Sequence, residues 1–523
     1  MPSPGEPGFT RTDVAGWSQH QAPRTLGLTS TKESPWPGQR LRPAPRATPA
    51  TVAAVVHGRR GHCARAVRSR RSEDKEPTVS DPKPELVDLA AAAYIYGYPL
   101  VHDLSTVETT TRKGFGIVPA GPFNAFAHAP QLADASAKFV SVNNDTVYSL
   151  AQLDLSGGPL LLHVPDCQGA YYVLQFVDAW TNNFAYLGRR ATGTEEATWL
   201  IAPPGWTGTP PEGVRVIDSP TAVASIVGRS ACDGPEDMAR ITALQRQLTL
   251  TQLEPGAGSG LPQPDPDVPE PLRFFEQLRV WMADFPPAPG DAAYQDRFQP
   301  LGLLEEGPSP YVQADPGLVH ALEAGLAQGR GRLEAAAHPP TDHEHPPGVW
   351  DMNLHLFDYN VDHLGPGTLD EDRWKIPDRP TAHLTRAVAA RVGLWGNHAY
   401  EAVHAQTFSD SAGAQLVGST SYTLHFEQPP PVDAFWSVTM YDTPDYHLVD
   451  NPIGRYSIGD RTPGLVYGDD GSLTLLFQHE RPADTSNWLP APLGAFRPVI
   501  RLYSPGAPVL DGSYQLPPIQ VTA

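Results

Sequence analysis

Two amides, a carboxylate and a hydroxyl stand together at the start of a strand-like run. They are Asn143, Asn144, Asp145 and Thr146, followed by the letters VYSLAQLDLS. A carboxylate that neighbouring amides hold away from water can take or give a proton. Asn and Asp also form turns through their own side chains and so often introduce strands. The segment therefore predicts either a turn or a site in which Asp145 is the acid or base and Asn143, Asn144, Thr146 and Tyr148 bind the ligand.

A second candidate group follows in the segment QFVDAWTNNFAYLGRRATGT. Side chains two positions apart share a face of a strand, so Asp178, Trp180 and Asn182 would form one polar wall. The guanidinium of Arg189 or Arg190 could hold a carboxylate or phosphate beside that wall. An internal salt bridge between Asp178 and one of these arginines is the structural alternative. We take Asp178 as the second candidate catalytic residue, and Asn182 and Arg190 as binding residues.

Aromatic residues stand near amides and arginines in the C-terminal part of the chain. This mixture is typical of a mostly apolar pocket with a few polar anchors. The tryptophans could equally belong to a hydrophobic core. The candidate binding residues in this part are Trp436, Tyr441, Asn451, Arg455, Asn487, Trp488 and Arg501.

The segment HPPTDHEHPPGVWDMNLHLFDYN offers His338, His343, Glu344, His345 and His355 as metal ligands. Imidazole and carboxylate suit zinc, but a metal site needs fixed spacing on a rigid element. This run is rich in proline, which favours a solvated loop. The chain also lacks a G-x-S-x-G elbow, a Walker A loop, a Rossmann glycine motif and H-E-x-x-H. We therefore predict neither a metal nor a cofactor.

Hydrophobic periodicity indicates the elements that must position these residues. Helical spacing predicts a helix over residues 84–109, and short alternating runs predict strands between residues 139 and 218. Helices follow from Pro235, separated by Pro-rich connectors, up to about residue 405 and including NHAYEAVHAQ. Alternation returns in the last part of the chain.

The predicted fold class is mainly β with a helical middle region, an α+β multidomain protein. We expect an extension without fixed structure at 1–80, a helix with a β-sandwich at 81–220, a helical domain at 221–405 and a jelly roll at 406–523. A chain of 523 residues is long enough for several cores.

Charge and cysteine content limit the classes of partner. Residues 1–80 hold 13 Lys/Arg and 6 Asp/Glu, which leaves 25 against 52 in the remainder. So acidic a surface argues against nucleic-acid binding. The chain has no long apolar span, which argues against integral membrane association. Its 3 cysteines favour a reducing compartment. We expect a cytoplasmic protein, or an exported one whose N-terminal signal is not recognised, and the sequence leaves its oligomeric state open.

The residues that carry most of these candidates form extended motifs. The segment NNDTVYSLAQLDLSGGPLLLHVPDCQGAYYVLQFVDAWTNNFAYLGRRATGT resembles the domain-of-unknown-function family DUF1254. The segments AFWSVTMYD, LVDNPIGRYSIGDRTPGLVYGDDGSLTLLFQHERPADTSNWLPAP and FRPVIRLYSP are similar to its usual C-terminal partner, DUF1214. The resemblance implies the same order of sandwich, helical region and jelly roll. It places Gly188 among the family motif positions as well, and it assigns no catalytic role to any of them.

Two functions fit these observations. The first is an enzyme of hydrolase or lyase type that acts on a small organic substrate in a cleft between the two β-rich regions. In it Asp145 or Asp178 is the acid or base, and Arg190 or Arg455 holds an anionic group. The second is a non-catalytic protein that binds carbohydrate or lipid through Trp180, Tyr186 and Trp436. A purely structural role for the polar residues is a third possibility.

Overall fold

A computed structural model describes residues 83–338 and 347–522. These residues form seven α-helices, five short 3-10 helices and 18 β-strands in four sheets. The α-helices are α1 (Pro84–Lys113), α2 (Met238–Gln247), α3 (Arg273–Asp284), α4 (Ala292–Gln295), α5 (Pro316–Ala337), α6 (Arg379–Gly393) and α7 (Ala507–Leu510). The 3-10 helices are Pro235–Asp237, Glu270–Leu272, Pro289–Asp291, Asp296–Leu301 and Asp372–Trp374.

The strands fall into an N-terminal and a C-terminal group. The N-terminal strands are β1 (Phe126–His128), β2 (Thr146–Asp154), β3 (Leu160–Val164), β4 (Tyr172–Asp178), β5 (Asn183–Gly188), β6 (Ala197–Ala202), β7 (Arg215–Asp218), β8 (Val223–Ala231) and β9 (Thr249–Gln252). The C-terminal strands are β10 (Asp351–Met352), β11 (Ala402–Gln406), β12 (Tyr422–Phe426), β13 (Val432–Asp442), β14 (Ser457–Gly459), β15 (Leu473–Gln478), β16 (Trp488–Pro490), β17 (Phe496–Pro505) and β18 (Ile519–Val521).

The N-terminal strands form a five-stranded sheet in the order β1-β2-β8-β4-β5 and a four-stranded sheet in the order β7-β6-β3-β9. Leu153, Phe176 and Ile226 of the first sheet share a buried core with Leu162 and Ile201 of the second. Alternate residues of a strand point to opposite faces, so the larger sheet has a second face to cover. The helices α1 and α3 cover that second face and form a separate core with it.

Helix α1 is the longest helix, and it is buried by close contacts with its neighbours. Gly325 and Gly329 of α5 face it without a side chain, and a Cβ atom on Gly325 would lie 2.3 Å from the Cβ of Ala90. Asp315 accepts hydrogen bonds from the backbone N–H groups of Gly317 and Leu318 and so caps the start of α5. These contacts fix the helices against the N-terminal sheet.

The C-terminal strands also form two sheets. The five-stranded sheet has the order β10-β11-β17-β13-β14, and the four-stranded sheet has the order β16-β15-β12-β18. Ile500 and Val438 of the first pack in one core with Leu424 and Leu475 of the second. Strand β17 lies between β11 and β13 and is buried along its whole length.

Sheets in both terminal regions with helices between them agree with the coarse prediction, but several elements differ from it. Strand β8 lies in the middle of the larger N-terminal sheet, and β9 follows α2, both beyond residue 220, where a helical domain was expected. The predicted helix NHAYEAVHAQ is wrong, because residues 402–406 form β11 and pair with β17. A strand at this position gains a ladder of hydrogen bonds and burial against its neighbour, which overrides local helix preference.

Several predictions concern residues that the structure does not describe. The extension predicted at 1–80 lies wholly outside the described residues, as do His343, Glu344 and His345. His338 contacts Glu334, and His355 Nδ1 lies 2.6 Å from Asp358 Oδ2. Within residues 83–338 and 347–522, three or more His, Cys, Asp or Glu side chains nowhere gather as a metal site would require. None of the helices described there combines the length and the apolar character needed to cross a membrane.

Candidate functional site

The segment before β2 forms a turn whose side chains reach the C-terminal sheet. The Asn143 side-chain oxygen accepts hydrogen bonds from the backbone N–H of Asp145 at 2.6 Å and of Thr146 at 3.2 Å, as in an Asx-turn. The Asn143 amide donates to the hydroxyl of Tyr503 in β17 at 2.7 Å. The turn therefore directs the next residue, Asp145, toward β17 and β13.

Asp145 is buried and joins the two β-rich regions. Its Oδ2 accepts a hydrogen bond from Ser437 Oγ of β13 at 2.6 Å and another from the Tyr503 hydroxyl at 3.3 Å. Its backbone oxygen accepts from Arg461 at 3.1 Å. Within the described part of the chain, no Lys, Arg or His forms a salt bridge with this carboxylate. We call Asn143, Asp145, Ser437 and Tyr503 the junction cluster.

Desolvation raises the pKa of Tyr503, and the neighbouring Asp145 carboxylate raises it further. The phenol therefore stays protonated at neutral pH and can donate its proton in a hydrogen bond. The short Ser437 contact adds a second donor to the same carboxylate oxygen. Hydrogen bonds of this kind, rather than an opposite charge, hold Asp145 in place.

A cavity of about 460 Å³ lies beside the junction cluster. Its walls come from both regions, and they include Asp145 and Ser437 together with the side chains of Asn144 and Arg455. The remaining wall residues are Gln131, Leu132, Ala133, Asp134, Cys232, Asp233, Gly234, Pro235, Met238, Trp436, Ile453, Gly454, Tyr456, Ser457, Gly459, Arg461, Thr462 and Pro463. A space of this size accommodates a small organic molecule.

Two other predicted residues on this wall are held by the protein itself. Asn144 donates to the Ala133 carbonyl at 2.5 Å and accepts from Ser457 Oγ at 3.2 Å. Arg455 uses one terminal nitrogen to reach the carbonyls of Thr485 and Trp488, at 2.7 and 2.8 Å. Burial lowers the pKa of Arg455. Its guanidinium makes no salt bridge with a described carboxylate.

Thr146 and Tyr148 lie at the start of β2, and because they are two positions apart they share one face of the strand. Thr146 is buried, and its hydroxyl lacks a hydrogen-bond partner among the described residues. Tyr148 is half-buried and lies opposite Arg229 of β8, whose Nε is 3.4 Å from the Tyr148 hydroxyl. Neither residue belongs to the wall of the 460 Å³ cavity.

Asp178 and Asn182 lie apart from the junction cluster. The expected strand through Asp178, Trp180 and Asn182 is wrong, because β4 ends at Asp178 and the chain turns before β5 begins. Asp178 Oδ1 accepts from the backbone N–H of Trp180 at 2.9 Å and of Asn182 at 2.8 Å. Burial raises the pKa of Asp178 despite these bonds. Its carboxylate stabilises a turn and does not line the cavity.

Arg190 pairs with a carboxylate other than Asp178. Its Nε lies 2.5 Å from Glu401 Oε2, and its Nη2 donates to the Gly367 carbonyl at 2.7 Å. The anticipated Asp178–Arg190 salt bridge is therefore absent from the described ion pairs. Gly188, two residues earlier, has φ +143°, and a Cβ atom there would lie 2.2 Å from the Tyr172 carbonyl oxygen. Glycine is required there by close approach of two strands.

The remaining C-terminal candidates have structural partners. Asn451 binds backbone groups of its own loop, whereas Asn487 binds the backbone of Val466 and Thr474 in earlier segments. The Trp488 indole donates to the Gln478 carbonyl. Arg501 donates to Thr439 Oγ1 at 2.8 Å and to the Tyr441 hydroxyl at 2.7 Å. Trp436 is part of the core and also contributes to the cavity wall.

The sequence reasoning missed Ser437, Tyr503 and Arg461. A signal was present in β13 and β17, where Ser437, Thr439 and Tyr441 alternate with apolar residues, as do Arg501 and Tyr503. Polar residues repeated every second position of a buried strand indicate one polar face. Ser437 and Tyr503 of that face are members of the junction cluster.

Comparison with solved structures shows the fold. The crystal structure of the VPA0106 protein from Vibrio parahaemolyticus is 24% identical, with a TM-score of 0.65, and the match covers 84% of this chain and 100% of that one. An uncharacterized protein from Burkholderia cenocepacia is 11% identical, with a TM-score of 0.38, over 85% of this chain and 91% of the other. A search of curated proteins found no match.

Two family models match the segments that form the cavity. Residues 123–252 match the family described as protein of unknown function (DUF1254), and residues 401–507 match protein of unknown function (DUF1214). Asp145 lies in the first match, and Ser437, Arg455 and Tyr503 lie in the second. The chain thus carries a DUF1254 segment and a DUF1214 segment, the two families that its sequence resembles.

Proposed function

We propose that this protein is an enzyme of hydrolase or lyase type that acts on a small organic substrate in the 460 Å³ cavity. The observation that carries the proposal is that Asp145 and Arg455, from the DUF1254 and DUF1214 segments, line one space. Groups so far apart in the chain meet where a ligand could contact both.

Asp145 is the acid or base of the proposed reaction. It is a buried carboxylate on a cavity wall, and it forms no salt bridge among the described residues. Ser437 and Tyr503 fix one carboxylate oxygen, which leaves the other oxygen without a side-chain hydrogen-bond partner among the described residues. A positioned carboxylate can then take a proton from a substrate carbon or from an attacking water.

Arg455 and Asn144 are proposed to orient the substrate. The pKa of Arg455 is lowered by burial, so an anionic substrate group near its guanidinium would be favoured. The Asn144 side chain is already tied to Ala133 and Ser457, so it would present a fixed dipole to the ligand. Fixed polar groups cost little reorganisation when charge develops during a reaction.

We also propose a specific architecture for the two terminal regions. Each terminal region has two sheets with a shared core, which supports a β-sandwich in the N-terminal region and a jelly roll in the C-terminal region. We propose a cavity at the boundary between these two units. The three domain boundaries expected from the sequence remain proposals, with β8 and β9 assigned to the N-terminal unit.

The experiment is a turnover screen on purified protein with esters, lactones and small carbonyl compounds. Asp145→Asn should reduce kcat/KM by about 10²–10⁴-fold with an unchanged Tm, which is the usual contribution of a general acid or base. Ser437→Ala should reduce it less. The matched control is Asp469→Asn, a change of the same type at an exposed position. Full turnover by Asp145→Asn on every active substrate would refute the assignment.

A non-catalytic carbohydrate- or lipid-binding protein is the second candidate. Trp436 favours it, because this tryptophan lines the cavity with Leu132, Met238 and Ile453. Trp180 and Tyr186 do not, since both are buried and bonded to Phe285 and His398. A glycan or lipid that raises Tm saturably, with no substrate turned over, would favour this candidate.

A further inference from the structure

Three arginines near the junction cluster have no carboxylate partner. Arg497 and Arg501 are buried, Arg229 is half-buried, and none forms a salt bridge among the described residues. Arg229 donates to Gln175 Oε1 at 2.8 Å and to the Trp395 carbonyl at 2.9 Å, both of which are neutral. A buried cation without an anion is costly unless a ligand supplies one.

Arg501 is the most deeply placed of the three. All its acceptors are neutral, namely Thr439 Oγ1, the Tyr441 hydroxyl and the Ser141 carbonyl. Its Nε is buried and has no hydrogen-bond partner in the described structure. The side chain therefore retains one donor for a group that the protein does not provide.

The strand register places a histidine beside this arginine. In the C-terminal sheet Arg501 lies between His404 of β11 and Ser437 of β13. Neighbours on adjacent strands point to the same face, so the three side chains share it. This is the face that meets the N-terminal sheet, because Ser437 and Tyr503 both bind Asp145.

His404 indicates open space at this face. Its side chain is exposed, yet desolvation, together with the positive charges of Arg501 and Arg229, lowers its pKa to about 3. The exposed surface of His404 leaves room for a ligand beside Arg501, its partner on the neighbouring strand. Tyr148 and Arg229 also keep accessible surface, on the sheet opposite.

The local charge balance is positive. The charge of Asp145 contributes to the electrostatic environment of Arg501. Glu401 accepts a hydrogen bond from Tyr171, but its charge is already balanced by Arg190. Arg229 and Arg501 against Asp145 leave one positive charge, and Arg497 adds another further along β17. His404 is neutral at pH 7 because its pKa is so low.

We propose that Arg229, Arg501 and His404 form a binding site for the carboxylate group of a small organic acid. The free Nε–H of Arg501 can donate to a carboxylate, the Arg229 guanidinium adds a second positive charge, and a neutral imidazole adds another N–H. Within the proposed site itself, without Arg497, the two arginines exceed Asp145 by one charge, which fits a monoanion better than a phosphate. The ring of Tyr148 supplies an apolar wall for the rest of the acid. None of these residues lines the 460 Å³ cavity, so this site is separate from the proposed catalytic function.

The test is calorimetric titration of dialysed full-length protein with sodium benzoate and sodium acetate. Benzamide, acetamide and sodium chloride at equal ionic strength serve as ligand controls. Carboxylates should bind saturably and raise Tm, and the amides should not. Arg229→Gln and His404→Phe should each weaken benzoate binding at least tenfold. The surface control Arg112→Gln should bind as the unmodified protein does.

Equal binding of amides and carboxylates, or unchanged benzoate affinity in Arg229→Gln, would overturn the proposal. Stronger binding of phosphate than of benzoate would overturn the choice of a monocarboxylate. If Arg229→Gln does not fold, imidazole NMR of the unmodified protein decides, with the His404 signal assigned from His404→Phe. Benzoate should raise the pKa of His404, because its negative charge offsets the arginines, and an unchanged His404 pKa would contradict the site.

Discussion

Asp145 and Asp178 are both buried carboxylates at the end of a strand of the same sheet, Asp145 directly before β2 and Asp178 as the last residue of β4, but their surroundings differ. Asp145 is held by side chains of the C-terminal sheet, Ser437 and Tyr503, and it lines a cavity. Asp178 is held by backbone N–H groups of Trp180 and Asn182, within its own turn. The first carboxylate joins two regions at an open space, whereas the second closes a local loop.

The difference shows why residue type alone does not identify a site. Local backbone N–H groups can replace the hydrogen-bond partners that water would provide to a carboxylate. Such a carboxylate then stabilises the fold. A carboxylate that is fixed through one oxygen and borders a cavity can still bind a ligand. The same contrast separates Arg190, which is paired with Glu401, from Arg229 and Arg501, which have no anionic partner among the described residues.

The largest expected effect on stability comes from breaking the Arg190–Glu401 ion pair. Glu401→Gln leaves the Arg190 guanidinium, whose side chain is 19% exposed, without an opposite charge. Removing one partner of a buried pair costs about 3 kcal/mol or more of unfolding free energy. Urea denaturation measures this loss. The control Asp88→Asn breaks the exposed pair with Arg332 and should cost less than about 1 kcal/mol. Equal losses of unfolding free energy in the two variants would show that the Arg190–Glu401 pair behaves as an exposed ion pair does.

Asp178→Asn should have the next largest effect on stability. The substituted amide keeps one acceptor oxygen but places an N–H group toward the Asn182 amide, which now donates to Asp178 Oδ2 at 2.9 Å. A mismatched buried hydrogen bond costs about 1–3 kcal/mol. Thermal unfolding should show the loss, and ligand affinity in the cavity should not change. A variant as stable as the original protein would mean that the turn does not depend on this carboxylate.

A third prediction concerns pH and a neighbouring acid, Asp103 of α1. Burial raises its pKa well above 3.8, and the nearby Asp178 charge adds to the rise, although a hydrogen bond from Trp395 opposes it. The folded state thus binds more protons than the unfolded state above about pH 4, so stability falls as pH rises.

Asp103→Asn removes this titration while keeping an oxygen that can accept from Trp395. Its unfolding free energy should therefore fall less than that of the original protein between about pH 4 and pH 8. Denaturation at several pH values measures the slope. The exposed Asp469→Asn should leave the slope unchanged. Identical slopes for Asp103→Asn and the original protein would contradict a raised pKa at Asp103.

The smallest effect is expected at the rim of the cavity. Arg461 donates to the Asp145 carbonyl at 3.1 Å and to Asp233 at 2.8 Å, and its side chain is 25% exposed. Arg461→Gln should change stability by less than about 1 kcal/mol, as for other exposed pairs. It should raise the KM of any active substrate a few-fold, because the backbone at Asp145 is held less firmly. Steady-state kinetics checks this, and an unchanged KM would place Arg461 outside the site.

Much of the local structure could be predicted from the sequence. Helix α1 was expected over residues 84–109 from the helical spacing of its apolar residues, and it spans Pro84–Lys113. The β8 strand was missed, because Gly228 and Arg229 interrupt its apolar run. Arg229 also belongs to the proposed carboxylate site, and local periodicity does not reveal such a role.

The candidate site was less accessible to prediction. The turn at Asn143 and its polar character could be inferred from residue type, but its partners could not. Ser437 and Tyr503 reach Asp145 through the packing of two sheets that are built from distant parts of the chain. Such contacts depend on strand order and register, which no short sequence pattern encodes.

A side-by-side assay of Asp145→Asn and Asp178→Asn tests most directly whether the cavity-lining carboxylate is the functional one. With any substrate found in the screen, Asp145→Asn should lose at least about 100-fold in kcat/KM and keep its Tm. Asp178→Asn should keep its kcat/KM and lose Tm. Loss of turnover in Asp178→Asn with full activity in Asp145→Asn would contradict the assignment of the active site to the junction cluster.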